Sequence, residues 1–182
     1  MPLLPESGVK LTYEDYLEIP ADLLRHEIVD GVHYVNSAPA TYHQLISARL
    51  ASELVVLIMK SGLGTVFAAP TDVELSPHDI VQPDLIAIRT SRSEIIHPSR
   101  VIGAPDLIVE IISPSTKRYD LREKSPRYAA CGVTEFLVVD PATHNVDQYR
   151  LHDGAYVHAG RYETTISLAS FPGVTIDLAA VW

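Results

Sequence analysis

The order of elements legible in the chain (helix, strands, helix, strand) predicts a mixed α/β fold of the α+β kind, a mixed sheet flanked by helices. Three observations carry this. Between residues 42 and 60 the apolar positions Leu45, Ile46, Leu50, Leu54, Leu57 and Ile58 recur at spacings of three and four without Pro or Gly, as in an amphipathic helix packed on a sheet. Residues 107–112 are nearly continuously apolar and rich in Val and Ile, the mark of a central strand covered on both faces. Residues 27–34 alternate around Asp30-Gly31, a hairpin signal.

The remaining elements follow in order. Thr12 with Asp15 three residues later forms a capping box that opens a short helix through Leu17. Gly62 and Gly64 stop the long helix, and strands are expected at 65–69, 73–75 and 85–88. A second helix is expected to start at Asp120, to continue through Tyr128, Ala129 and Ala130, and to end at Gly132. Pro126 deletes one helical hydrogen bond there and predicts a kink in the second turn. A buried strand at 135–140, its partner at 146–151 and an edge strand at 156–162 complete the sheet.

A chain of 182 residues and 20.0 kDa with 47% hydrophobic residues is long enough for one core and short for two, so a single domain over 1–182 is expected. Met1 to Glu6 lack a basic start and an apolar core of a leader, and the longest apolar run, 54–59, is far short of the ~20 residues of a membrane span. A cytoplasmic protein off the membrane is expected. The single Cys131 excludes an internal disulfide and a thiolate cage, and its expected place is a small apolar slot near a helix end. The eight histidines are scattered without zinc-ligand spacing. No His–Asp arrangement neighbours Ser113 or Ser115 in the sequence, which argues against a serine hydrolase.

The formal net charge of -9 disfavours indiscriminate adhesion to nucleic acid or anionic membrane. Residues 89–127 nevertheless carry eight basic against five acidic side chains, a net of +3 that leaves -12 for the rest. That segment is the one least hostile to a phosphate backbone, although a solvated basic loop would look the same.

Asp84 and Glu110 interrupt two strand-like apolar runs, 81–88 and 107–112. A bare carboxylate is costly to bury unless it is paired, hydrogen-bonded or bound to a cation, so these two acids, with Lys124 on a following helix, point to a metal site. Each has a competing reading. Asp84 could bond at a strand end after Pro83, Glu110 could form a buried pair with Arg or Lys, and Lys124 could face solvent. Glu27 could pair with Arg25 in an exposed hairpin, and His43 could cap or pack at a helix start. Asp106 lies four residues from Glu110, on the same face of the strand, where it either helps the site or begins the strand.

Several segments occur in one order: Glu27-Ile28-Val29-Asp30-Gly31, Ser37-Ala38-Pro39 with His43-Gln44, Gln82-Pro83-Asp84-Leu85, the run from Pro105 to Thr116, Tyr119-Asp120 with Glu123-Lys124, Tyr128 to Val133, and Val138 to Pro141. Together they resemble the Uma family of restriction-endonuclease-like proteins, over about residues 12–182. The resemblance implies the fold of the PD-(D/E)XK nuclease superfamily, whose two strand acids bind Mg²⁺ while a lysine assists the attacking water. Asp84 is then the first acid and Glu110 the second, with Glu27, Asp106 and His43 as further candidates. The lysine of the superfamily pattern, two residues after the second acid, is Ile112 here, and Lys124 on the next helix is implied in its place.

Phosphodiester hydrolysis needs a nucleophile and charge neutralisation on the phosphate, and a hard cation on one or two carboxylates supplies both. Mg²⁺, with Mn²⁺ as a substitute, is the implied cofactor, nucleic acid with DNA favoured the implied substrate, and a two-fold homodimer the implied assembly. Two rivals stand beside this reading: a catalytically silent module binding nucleic acid or protein, and a phosphodiesterase of small nucleotides.

Overall fold

Side chains alternate across a strand, and in this chain the alternation sorts the apolar residues onto two faces of one sheet. The computed structural model describes residues 9–20, 22, 24–36, 38–113 and 116–182. The reading of Met1 to Glu6, the Ser37 and Pro114 positions of the family-like segments, and Ser115 lie outside the described residues. Leu85, Ala87, Leu107, Val109, Ile111, Leu137 and Val139 face one core, and Ile86, Ile88, Ile108, Phe136 and Val138 face the other.

In chain order the elements are α1 (Tyr13–Leu17), the hairpin β1 (Arg25–Val29) and β2 (Val32–Asn36), α2 (Thr41–Leu54), β3 (Gly64–Ala68), β4 (Val73–Ser76), β5 (Asp79–Val81), β6 (Leu85–Arg89), β7 (Val101–Ile102) and β8 (Leu107–Ile111). Then come α3 (Lys117–Tyr119), α4 (Ser125–Ala130), β9 (Glu135–Asp140), β10 (Asn145–His152), β11 (Ala155–Tyr162), β12 (Thr165–Ser167) and β13 (Thr175–Asp177). Six strands form a mixed sheet in the order β11-β10-β9-β8-β6-β3, in which β8 and β9 run parallel and the other pairs antiparallel. Five more form a second sheet, β2-β1-β5-β4-β7, and β12 pairs with β13. The fold is thus mixed α+β, as the element order predicts.

The hairpin turns on Asp30 and Gly31, both with positive φ (51° and 76°), the conformation an Asp-Gly two-residue turn favours. In α1 the Asp15 carboxylate accepts hydrogen bonds from both the Thr12 N–H (2.8 Å) and the Thr12 hydroxyl (3.0 Å), so the expected capping residues are in contact. The long helix has Ile46, Leu50, Leu54 and Ile58 on its buried stripe, and its last turn, Val55–Met59, is a π-helical continuation.

Three expectations need correction. Residues 81–88 are not one strand: β5 ends at Val81, and Asp84 stands just before β6, where Pro83 cannot donate to a ladder. The second helix begins at Lys117, three residues before Asp120, so Asp120 lies in the helical body and is buried. Pro126 does not kink an α-helix in its second turn: Asp120–Lys124 is a π-helical turn, and Pro126 falls in the first turn of α4, where its missing N–H is tolerated.

Candidate active site

The register of β6 and β8 pairs Leu85 with Val109, which sets Asp84 opposite Glu110 one step further along. By alternation Glu110 shares the face of Ile108, and this is the face covered by the helical segment from Lys117 to Ala130. On that segment Asp120, Lys124 and Tyr128 follow at intervals of four and point inward, exposed by 5%, 1% and 0%. Glu27 reaches the same place from β1, and His43 from the first turn of α2.

Each acid is held by named donors. Asp84 accepts from Arg25 Nη1 and Nη2 (3.2 Å each) through Oδ1, and through Oδ2 meets the Ile111 N–H (2.8 Å) and His43 Nε2 (3.1 Å). Glu110 Oε1 accepts the Tyr128 hydroxyl at 2.5 Å and lies 2.6 Å from Lys124 Nζ. Glu27 lies 2.9 Å from Lys124 Nζ and accepts the Gln82 N–H (2.8 Å), the Asn36 amide (2.9 Å) and the Tyr119 hydroxyl (3.1 Å). Asp120 Oδ1 is 3.9 Å from Lys124 Nζ. Apart from Gln82 and Tyr128, these groups line a cavity of about 330 Å³, together with Pro39, Ser113 and Thr116.

Four buried carboxyls, those of Glu27, Asp84, Glu110 and Asp120, thus share two permanent cations, Arg25 and Lys124. Burial pushes the Glu110 carboxyl up to about 8; Lys124 opposes the rise, and Asp120, Asp84 and Glu27 add to it. Burial likewise lifts Asp120 to about 6 against the pull of Lys124. For Lys124 burial favours the neutral amine, but Glu110, Glu27 and Asp120 outweigh it and hold the ammonium well above its ordinary range. Asp84 also meets an upward push from burial, yet His43, Arg25 and the Ile111 N–H hold its carboxyl below the ordinary carboxylate value. Burial and the neighbouring acids thus favour the neutral form of Glu110, while the donors around Asp84 favour its ionised form.

Among the described residues no three side chains of His, Cys, Asp and Glu converge as a closed metal cage would require. An Mg²⁺ site does not need one, since this ion takes one or two protein carboxylates and completes its shell with water and substrate phosphate. The donors facing the cavity are oxygens of surplus negative charge, the chemistry a hard divalent cation selects.

Of the six residues singled out from the sequence, the fold brings together Asp84, Glu110, Lys124, Glu27 and His43. Glu27 is 1% exposed, so it is not the surface partner of Arg25, and Lys124 is not solvent-facing. Asp106 is elsewhere: it precedes β8, accepts the Arg89 N–H (2.9 Å) and lies 3.0 Å from Arg89 Nε and 3.1 Å from Arg92 Nη1. Four residues along a strand span roughly 13 Å, so sharing a face with Glu110 does not bring it to the same cavity. Sequence reasoning missed Asp120, Arg25, Tyr119 and Tyr128. The stripe Asp120-Lys124-Tyr128 at intervals of four was the available signal for two of them.

Comparison with known proteins agrees with this architecture. The family model Uma2, described as "Putative restriction endonuclease", matches residues 13–179. The uncharacterized protein slr1290 of Synechocystis sp. (strain ATCC 27184 / PCC 6803 / Kazusa) is 27% identical over 147 residues, covering 79% of this chain and 76% of that protein. The crystal structure of a "putative nuclease belonging to DUF820" from Anabaena variabilis ATCC 29413 superposes with a TM-score of 0.78 at 17% identity, over 94% of this chain and 97% of that one. At that identity the likeness establishes the fold.

Proposed function

Because the chain belongs to the Uma2 family, we propose that its buried carboxylate–lysine cluster is the centre of a Mg²⁺-dependent endonuclease that hydrolyses phosphodiester bonds of nucleic acid, DNA foremost. The observation that carries the proposal is the set of Asp84, Glu110 and Lys124 in one cavity, with Lys124 Nζ 2.6 Å from Glu110 Oε1. Asp84 and Glu110 would hold the cation. When bound, it supplies neutralising charge to the phosphate and lowers the pKa of water, and Mn²⁺ serves as a substitute.

The chain's own residues do the rest. Arg25, His43 and the Ile111 N–H hold both oxygens of Asp84 at the cavity wall, and a bound cation would take the place of one of the side-chain donors. Tyr128 fixes Glu110 through the same oxygen that Lys124 meets. Lys124 is held protonated between Glu27 and Glu110, where its ammonium can orient a water for attack or stabilise charge growing on the phosphate. Cutting both strands of a duplex calls for two such sites, so a two-fold homodimer belongs to the proposal.

Incubation of supercoiled plasmid with Mg²⁺ or Mn²⁺ tests the reading: the wild type should nick it and Glu110→Gln should not. Cation binding without nicking would move the substrate to small nucleotides, the reading that the net charge of -9 favours. Failure to bind a cation would leave a binding module on a nuclease fold.

A further inference from the structure

Beside the carboxylate cavity lies a second crevice of about 470 Å³, and the two share Ala40, His43 and Ser113 as a common wall. Its character is different. Ile112, Pro141 and Ala142 make its lining mainly apolar, and Tyr42 contributes an aromatic ring that is 46% exposed. The Tyr42 hydroxyl lies 3.5 Å from His144 Nε2, and His144 stacks on Trp182 at 5.0 Å between ring centroids, so the ring is tethered at its polar end. Lys117 and Asp140 supply the polar groups, with Lys117 Nζ 3.5 Å from Asp140 Oδ2 and the lysine side chain 55% exposed.

An apolar slot with one aromatic ring and a few convergent polar groups is the usual form of a site for a flat organic ring. Its position beside the acid-lined cavity narrows which ring this is. A phosphodiester seated at Asp84 and Glu110 carries a nucleoside on each side, and the crevice beyond the shared wall is a neighbouring space for one of them. Tyr42 offers a stacking face for a base. Asp140 can accept from a base amino group, and the ammonium of Lys117 can meet the next phosphate.

We propose that this crevice is a nucleoside subsite, which takes the base flanking the scissile phosphate in an unpaired conformation. The inference rests on the phosphodiesterase reading and adds a substrate preference to it. A base inside a stacked duplex cannot enter such a slot without unpairing and turning out of the helix, at a cost that a single strand does not bear. Single strands, frayed ends and extruded bases are therefore preferred over intact duplex.

The test is equilibrium binding of a short single-stranded DNA containing 2-aminopurine, followed by its fluorescence in Mg²⁺, with cleavage of the same oligonucleotide read on a gel. The wild type should give a saturable fluorescence change and bind the single strand more tightly than its duplex. Tyr42→Ala, and Ala142→Trp, which fills the slot, should each weaken binding about tenfold. Tyr42→Phe, which keeps the ring, should bind as the wild type does. Absence of a saturable change, equal affinity for duplex, or affinities of Tyr42→Ala and Ala142→Trp within about twofold of wild type would overturn the subsite. Cleavage separates the two ideas: binding that depends on Tyr42 and Ala142 without cleavage overturns the nuclease reading and leaves the subsite, whereas cleavage indifferent to both residues does the reverse.

Discussion

Lys124 Nζ and Glu110 Oε1 are 2.6 Å apart, with both side chains almost wholly buried, although thirteen residues and a strand-to-helix crossing separate them in the chain. The position two residues after Glu110 is Ile112, which packs in the apolar core, so the cation reaches the acid from the covering helical segment. Space, and not sequence adjacency, joins the pair.

Replacing Glu110 with Gln keeps its shape and removes one of four crowded carboxyls. Because burial already holds this group toward its neutral form, Glu110→Gln should melt at or slightly above the wild-type temperature while losing cation binding and any cleavage. Differential scanning calorimetry beside an activity assay checks both halves. A large fall in melting temperature would mark Glu110 as a structural ion-pair partner instead.

Removing Lys124 does the opposite. Lys124→Met leaves Glu27, Glu110 and Asp120 around an uncompensated buried site, and losing one partner of such a pair costs about 3–5 kcal/mol. Glu27→Gln added to Lys124→Met should recover part of that loss in urea unfolding. Strict additivity of the two substitutions would contradict the coupling.

The pH dependence follows from the raised carboxyls. The folded Glu110 titrates at about 8 against an ordinary 4.5, and Asp120 at about 6 against 3.8, so between those limits the native state holds more protons than the unfolded chain. The associated stability is complete below about pH 4 and is lost as pH rises through 6 and 8. Melting of the metal-free protein should therefore move to lower temperature from pH 5 to 8, and Glu110→Gln should flatten the trend. Divalent cation, which takes ionised carboxylates, should bind more tightly as the pH rises across the same range and release protons as it does.

Asp106 separates structure from function. Its partners are Arg89 and Arg92, well away from the cavity, so Asp106→Asn should lower stability and leave the heat of cation binding unchanged. Isothermal titration of this variant decides the point, and a lost binding heat would bring Asp106 back into the site.

Much of this was readable in the chain because the signals were local. Asp30-Gly31 specifies its own turn, and the apolar run broken by Glu110 declares a buried acid whatever the surrounding fold. Asp120 was not readable in the same way. Its neighbours Leu121, Arg122 and Glu123 make a plausible helix start, which would expose it, and only the beginning of the helix at Lys117 turns it inward. Arg25, Tyr119 and Tyr128 were hidden for a related reason: each serves an acid 18 to 92 residues away, a pairing created by the packing of the second sheet and the helix on the first. Asp106 misled because strand parity reports the face and is silent about distance along it.

The most direct measurement is isothermal titration of Mg²⁺ into the wild type and into the Asp84→Ala, Glu110→Ala double variant at pH 8. Saturable binding by the wild type that vanishes in the double variant is the predicted result. Binding that survives loss of both acids, or a wild type that takes up no cation, would contradict a metal centre built on Asp84 and Glu110.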